Sequence, residues 1–475
     1  MQKIYALLLS LLLLAASGTA FRTATALDRA PNVVLIHMDD MGYGDIGITG
    51  ATGYTTPNFD AMARNGMFLS QYYSPQAVCT ASRAGLLTGC YPNRVGFAGA
   101  IDHTAKTGIN PYEETIAEIL KAKGYATAAF GKWHLGYQEK FLPLQHGFDT
   151  YLGIPYSNDM WPNHPVNKNY YPPLPLIEGN RVVETNPDQS RFTTMFTERA
   201  AGFIKENRNK PFFVYLAHPM PHVPLFVSEK FKGKSAQGLY GDVIMELDWS
   251  IGRIRETLRS LNLEKNTILI VTSDNGPWLP YGNHAGSAGA FREGKGTTFE
   301  GGQRVPCLVE WPGVVPAGVV CNNLASGLDI LPTVAEATGA SLPVKKIDGV
   351  SLLKNWKGDF SVRPRETFLF YYRKNNLEAI RHGDWKLVFP HPGRTHEGFS
   401  PGKDGSPGPV TENYSHPGAL YDLRRDPGER YNVQFDFPEV AAKLMRLADE
   451  ARDDLGDDLA GNPGKNRRPI GTAAE

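Results

Sequence analysis

Asn32-Val-Val-Leu-Ile-His37, followed by Met38 and then the acids Asp39 and Asp40, is the stretch on which the fold turns. A continuous apolar run of this length has no solvent face, as expected of a strand buried on both sides of a parallel sheet. Three further runs share its texture: Tyr125-Ala-Thr-Ala-Ala-Phe130, Pro211-Phe-Phe-Val-Tyr-Leu-Ala217 and Thr267-Ile-Leu-Ile-Val-Thr272. Helical patterns lie between them at 115–123, 197–207 and 240–261. In the last, Val243, Leu247, Ile251, Ile254 and Leu258 form one apolar stripe. Strands alternating with helices imply an α/β fold, a large mixed, mostly parallel sheet sandwiched by helices.

Past residue 360 the texture changes. Thr367 to Tyr372, Leu377 to Arg381 and Trp385 to Phe389 read as short antiparallel strands. His391 to Gly418, rich in Gly and Pro, reads as a long surface loop. Leu420-Tyr-Asp-Leu423 resumes a strand, and Pro438 to Asp454 reads as a closing helix. The expected organisation is a catalytic domain over 27–360 and a smaller C-terminal domain over 361–475, with a short antiparallel sheet and a helix.

The 475 residues carry 49 Lys+Arg against 49 Asp+Glu, so nothing suggests a surface that coats nucleic acid. Four cysteines without a CxxC spacing exclude a disulfide scaffold and a structural zinc site. At the N-terminus, Lys3 precedes an apolar run from Tyr5 to Ala16, and Ala24-Thr25-Ala26 fits a signal cleavage site. The reading is a cleaved signal over 1–26, an exported (periplasmic or secreted) protein, and no membrane span once the signal is gone. Losing Lys3 and Arg22 takes the balanced chain to a net charge of −2.

Chemistry in such a sheet collects at the carboxyl ends of the strands. Asp39 and Asp40 follow the first strand, Lys132 and His134 the second, His218 and His222 the third, and Asp274 and Asn275 the fourth. Alone, each pair has an ordinary explanation as a turn or cap; four polar strand ends together point to one site. Asp39, Asp40, Asp274 and Asn275 offer only oxygen donors, which favours calcium or magnesium over zinc. Cys79, four residues before Arg83, is compatible with an activated thiolate at a helix N-terminus or with an inert buried thiol.

Cys79-Thr-Ala-Ser-Arg83 followed by Leu87-Thr-Gly89 resembles the signature of the type I sulfatases of the alkaline phosphatase superfamily, in which the cysteine becomes formylglycine. The resemblance covers most of the chain. NVVLIHMDDMGYGDIG (32–47) resembles that family's opening strand and metal aspartates, and Gly131-Lys-Trp-His-Leu-Gly136 its Lys/His motif. Gly294-Lys-Gly-Thr-Thr-Phe-Glu-Gly-Gly302 resembles its second lysine loop, and LYDLRRDPGERYN (420–432) its C-terminal strand and turn. Two positions depart. Ala81 stands where Pro is usual, and Cys90 where Arg is common. Cys307 and Cys321 are close enough in sequence for an exported disulfide.

The resemblance implies a mechanism. Formylglycine from Cys79, hydrated to a diol, would bind a calcium ion together with Asp39, Asp40, Asp274 and Asn275. One diol oxygen, its charge eased by the cation and Arg83, would attack sulfur. Lys132, Lys295 and His222 would hold sulfate oxygens, and His222 or Lys295 would protonate the departing alcohol. His134 would then deprotonate the second hydroxyl and expel sulfate. Ser157 aligns with a sulfate-contacting serine of the arylsulfatase-like branch. Partners would be a formylglycine-generating enzyme during maturation and a sulfated glycan of galactose or N-acetylgalactosamine type, or a small sulfate ester. Trp161, His164, Tyr170, Tyr171, Arg292, Arg394 and His396 are candidates for the walls of the substrate site. The alternatives are a phosphonate monoester or phosphodiester hydrolase of the same superfamily, and a catalytically silent sulfated-glycan-binding protein.

Overall fold

A computed structural model describes residues 29–473; the expected signal segment at 1–26 lies outside the described residues. Ten strands form the main sheet: β1 (Asn32–Met38), β2 (Met67–Leu69), β3 (Ala126–Lys132), β4 (Thr150–Ile154), β5 (Pro175–Glu178), β6 (Arg181–Thr185), β7 (Phe212–Ala217), β8 (Thr267–Ser273), β9 (Cys307–Glu310) and β10 (Val319–Cys321). Their order across the sheet is β10-β2-β9-β8-β1-β7-β3-β4-β5-β6. The five central strands, β8, β1, β7, β3 and β4, are mutually parallel, and antiparallel strands are added on both flanks. The sheet is therefore mixed and mostly parallel at its core, as the apolar runs imply.

Side chains of a strand alternate between faces, so β1 feeds two cores. Val33 and Leu35 pack on one face with α2 (Cys79–Thr88), α3 (Ile116–Ala122) and α6 (Ile330–Thr338). Val34, Ile36 and Met38 pack on the other with α1 (Pro57–Asn65), α4 (Phe192–Glu206) and α5 (Leu239–Ser260). α4 begins five residues before the expected 197. Phe192 and Phe196 extend its buried face back to a turn that the Asp188 carboxylate caps.

The C-terminal sheet has the order β11 (Thr367–Tyr372), β12 (Asn376–His382), β13 (Trp385–Val388) and β16 (Ala419–Asp422), all antiparallel, with α7 (Pro438–Leu455) packed on it. Buried Lys386 of β13 lies 3.2 Å from Glu300 and 2.8 Å from Glu429, an ion cluster that ties this sheet to the loop after Lys295.

One expectation is corrected, and the open question of a Cys307–Cys321 disulfide is answered. The stretch 391–418 is not one loop: β14 (His391–Thr395) and β15 (Thr411–His416) pair as a hairpin, and the His391 and His416 rings stack at 5.0 Å. Gly393 serves packing there, since a Cβ on it would sit 2.6 Å from the His416 ring. Cys307 and Cys321 are not bonded; all four cysteines are free and buried. Cys321 is opposite Leu69 on one side of β2, and the antiparallel register puts Cys307 beside Leu69 on the other. Two strand spacings, roughly 9.5 Å, separate them, beyond the reach of a disulfide.

Candidate active site

The register brings the four polar strand ends to one level. Met38 is opposite Ser273, His37 and Gly131 are both opposite Ala217, and Lys132 ends β3. The next residues of each strand therefore meet in one place. Two adopt left-handed backbone to do so, Asp40 at φ 66° and His134 at φ 61°, a conformation that costs a non-glycine residue about 1 kcal/mol or more. α2 runs into this point from below, with Cys79 as its first residue and Arg83 one turn on.

Arg83 is wholly buried and acts as a clamp. Its Nε and Nη2 donate to Asp274 Oδ2 at 3.0 and 2.8 Å, Nη2 lies 3.4 Å from Asp39, and Nη1 donates to the Lys132 carbonyl at 3.0 Å. Lys132 Nζ donates to Asp39 Oδ2 at 2.5 Å and to Ser157 Oγ at 3.2 Å. Lys295 Nζ donates to Asp40 at 2.7 Å and sits over the Trp278 ring, 4.4 Å from its centre. Asn275 Nδ2 donates to Asp40 Oδ1 at 2.7 Å. Three carboxylates face three cations with almost no solvent. Removing one partner of such a buried cluster is far more damaging than the cluster's net contribution.

Burial would raise Asp39, but Lys132 and Arg83 outweigh it and hold the carboxyl well below the usual range. Burial and the charge of Asp39 push Asp274 upward. The two histidines are tuned apart by their hydrogen bonds. Burial, and then Lys132, holds His134 far below its ordinary value; its Nε2 donates to the Ile101 carbonyl at 3.0 Å, leaving Nδ1 buried, unprotonated and without a partner. Burial and Lys295 also lower His222, whose Nδ1 donates to the Val223 carbonyl at 2.6 Å. His222 Nε2, carrying the lone pair, lies 3.6 Å from Asp40 Oδ2. Two electron-rich atoms at that distance call for a cation or a donor between them.

Asp39, Asp40 and His222 present ligand atoms within 4.8 Å of one another, a group that can hold a metal ion. Asp39 Oδ1 and Asn275 Oδ1 are buried without a hydrogen-bond partner. These unsatisfied oxygens are what a cation would complete. Burial pushes the Cys79 thiol up, and Lys132 and Lys295 offset this only in part. That direction weighs against the activated-thiol alternative.

The structure gathers Asp39, Asp40, Cys79, Arg83, Lys132, His134, Ser157, His222, Asp274, Asn275 and Lys295. It does not bring in Arg292, whose guanidinium donates to Glu397 at 3.0 and 2.8 Å and stacks on Phe299 at 4.1 Å. His218 turns away to Ser250 Oγ at 2.9 Å. Arg292→Ala is accordingly expected to leave kcat/KM for 4-nitrophenyl sulfate within about fivefold of the wild type; a larger loss would place Arg292 at the reaction. Sequence reasoning missed Trp278, which packs on both His222 and Lys295. Its signal was its place three residues after Asn275. It also missed Tyr215, a β7 residue whose hydroxyl pairs with His37 at 2.9 Å and feels the charge of Arg83. Nothing in an apolar run marks such a residue.

Known proteins carry the same arrangement of domains. The Sulfatase family model matches residues 31–340, and that of the C-terminal region of aryl-sulfatase matches 363–470. Bovine (Bos taurus) arylsulfatase A is 38% identical over 443 residues, covering 88% of this chain and 86% of its own. Mouse (Mus musculus) N-acetylgalactosamine-6-sulfatase is 36% identical over 489 aligned positions, covering 96% and 91%. The solved PsFucS1 sulfatase from Pseudoalteromonas sp. superposes with a TM-score of 0.80 at 26% identity, covering 93% of this chain and 92% of that one. Among the described residues no helix is long and apolar enough to cross a membrane. With both family models matched in order along one chain, and the strand-end residues drawn into one buried cluster, the protein belongs to the sulfatase family.

Proposed function

We propose that this sulfatase hydrolyses sulfate monoesters on a sulfated carbohydrate of galactose or N-acetylgalactosamine type, with Cys79 converted to formylglycine and a calcium ion held by Asp39, Asp40, Asp274 and Asn275. The observation that carries this reading is Cys79 itself. It stands buried at the start of α2, among the charges of Lys132, Lys295, Asp39 and Asp274, where burial disfavours a thiolate and an oxygen nucleophile would be well served. The mouse and bovine relatives support the substrate class. The residues fit both groups: unpartnered Asp39 Oδ1 and Asn275 Oδ1 provide free hard donors, and the thiol is available for conversion. The ion and the hydrated aldehyde together would supply an oxygen nucleophile at neutral pH and a second hydroxyl on the same carbon.

The chain's own residues do the rest. The Lys132 and Lys295 ammonium groups bind the sulfate oxygens and stabilise the charge that builds there. Of the two candidates for protonating the alcohol, the structure favours Lys295, since the one proton of neutral His222 is held by Val223. Nδ1 of His134 is the free base for the second hydroxyl. Arg83 holds Asp39 and Asp274 in place. Residues 1–26 act as an export signal, and the domain boundary falls near 360.

Mass spectrometry of the peptide spanning Cys79, on protein made alongside a formylglycine-generating enzyme, tests the reading. An aldehyde is expected in place of the thiol, with one reactive thiol fewer than the four cysteines when the protein is denatured. Sulfate release from 4-nitrophenyl sulfate is expected to track the converted fraction. Full conversion without sulfate release from any ester would overturn it.

A further inference from the structure

A sizeable cavity lies away from the cluster just described. About 710 Å³ in volume, it opens in the C-terminal region between the β11–β12 turn, the β14–β15 hairpin and the segment after α7. Arg373 and Lys374 stand at its mouth, and Asn376, Asn413 and Asn462 supply amide donors and acceptors along its wall. The lining also holds one acid, Asp458, whose Oδ2 accepts from the Asn375 backbone N–H at 3.2 Å. Against Arg373, Lys374 and the neighbouring Arg394, it and Glu412 leave one positive charge over, which with the amides and the apolar faces of Pro392 and Pro463 suits a sugar bearing one negative charge.

The turn that carries the cations is the unusual feature. Arg373 and Lys374 both have left-handed backbone, at φ 46° and 60°. Consecutive residues of that kind in a hairpin turn are ordinarily Asn and Gly, which adopt it with little strain. Below them the turn is pinned: Asn375 is buried, accepting from Asn93 Nδ2 at 2.7 Å and donating to the Leu455 carbonyl at 3.0 Å. The fold could be served by an unstrained turn, yet two long cations are held outward there. Strain of this sort, kept where a relaxed sequence is available, points to a use.

A line of direct contacts joins this cavity to the reaction site. Arg373 Nη2 donates to Glu412 Oε2 at 2.8 Å, and Arg394 Nη2 donates to Glu412 Oε1 at 2.8 Å. Arg394 lies against the backbone next to Lys295, its Nη1 only 2.7 Å from where a Cβ on Gly296 would be. Glu412 neutralises one of the two arginines, whereas Lys374 is exposed, has no ion-pair partner among the described residues and keeps its charge for a ligand.

We propose that this cavity is a second carbohydrate site, which binds an anionic sugar of the same sulfated chain at a distance from the unit being desulfated. The proposal rests on the reading of the protein as a glycan sulfatase and adds that it grips a polymer. Binding energy placed away from the reacting bond would favour long chains over short ones.

The test uses the full chain in two measurements. Binding of a chondroitin 6-sulfate hexasaccharide is followed calorimetrically on Cys79→Ala protein, which cannot consume it. Turnover of 4-nitrophenyl sulfate is followed on protein with Cys79 intact. The double variant Arg373→Asn/Lys374→Gly installs the relaxed turn. It is expected to melt no lower than its parent, to bind the hexasaccharide about tenfold more weakly, and to turn over the small ester as the wild type does. Lys374→Glu is expected to weaken the hexasaccharide similarly. Unchanged hexasaccharide affinity in both variants would overturn the proposal. So would an equal loss of small-ester turnover, which would report a damaged fold. If the wild type releases no sulfate at all, the catalytic reading fails separately, because the affinity comparison needs no turnover.

Discussion

Replacing Cys79 by serine is expected to stop steady-state sulfate release, a loss on the order of 10⁴-fold or more, while the protein takes on the mass of one sulfo group from 4-nitrophenyl sulfate. The substitution keeps size and shape at a position only 3% exposed, so the fold should survive it. Lys132 and Lys295 still face the substituted residue and can still draw in a sulfate ester. A serine hydroxyl that attacks sulfur releases the alcohol and keeps a sulfate ester on its own oxygen. No second hydroxyl then stands on the same carbon, so the free Nδ1 of His134 has no proton to remove and the ester cannot be expelled. Its hydrolysis would need water to attack sulfur in a site with almost no solvent. Cys79→Ala, lacking any nucleophile, is expected to show neither turnover nor the added mass. Steady turnover by Cys79→Ser near the wild-type rate would remove Cys79 from the chemistry altogether.

The parts of this site that could be read in the sequence were those whose signal is local. Four apolar runs ended in polar residues, and because parallel strands end at one level, their ends had to converge. Flanking strands were not legible for the opposite reason. Met67–Leu69 and Val319–Cys321 have three residues each, too short to show a period, and exposed Arg181–Thr185 has no buried face to announce it. Long-range partners were equally hidden. Arg292 was a candidate for the substrate wall because a basic side chain can pair with a sulfate, and its partner Glu397 lies 105 residues on, where no local pattern could show it. Cys307 and Cys321 are close in sequence and kept apart by an intervening strand. The tautomers of His134 and His222 depend on carbonyls of Ile101 and Val223, and so did the choice of Lys295 over His222 as proton donor.

Arg83→Ala is expected to cost about 3–5 kcal/mol of stability, a fall in Tm of roughly 3–5 °C for a chain of this length, together with all measurable turnover. Both losses have one cause. Arg83 has no solvent exposure, and its guanidinium satisfies Asp274 twice, approaches Asp39 and closes on the Lys132 carbonyl. Without it, two buried carboxylates keep Lys132 as their nearest cation, and Asp274, already pushed up by burial and by Asp39, rises further. A protonated Asp274 is a poor ligand for a cation, so damage to the fold and to the reaction arrive together. Arg83→Lys keeps the charge but cannot reach three acceptors as the planar fork does, and is expected to recover stability in part and turnover hardly at all. Arg83→Ala/Asp274→Asn separates the two effects. With the unpaired charge replaced by an amide, Tm should return part of the way, while turnover stays absent if Asp274 is a carboxylate ligand of the proposed cation. An Arg83→Ala protein that melts and turns over like the wild type would show that the clamp orders nothing, and the assignment of Asp39 and Asp274 as the anchored half of the cation site would fall with it.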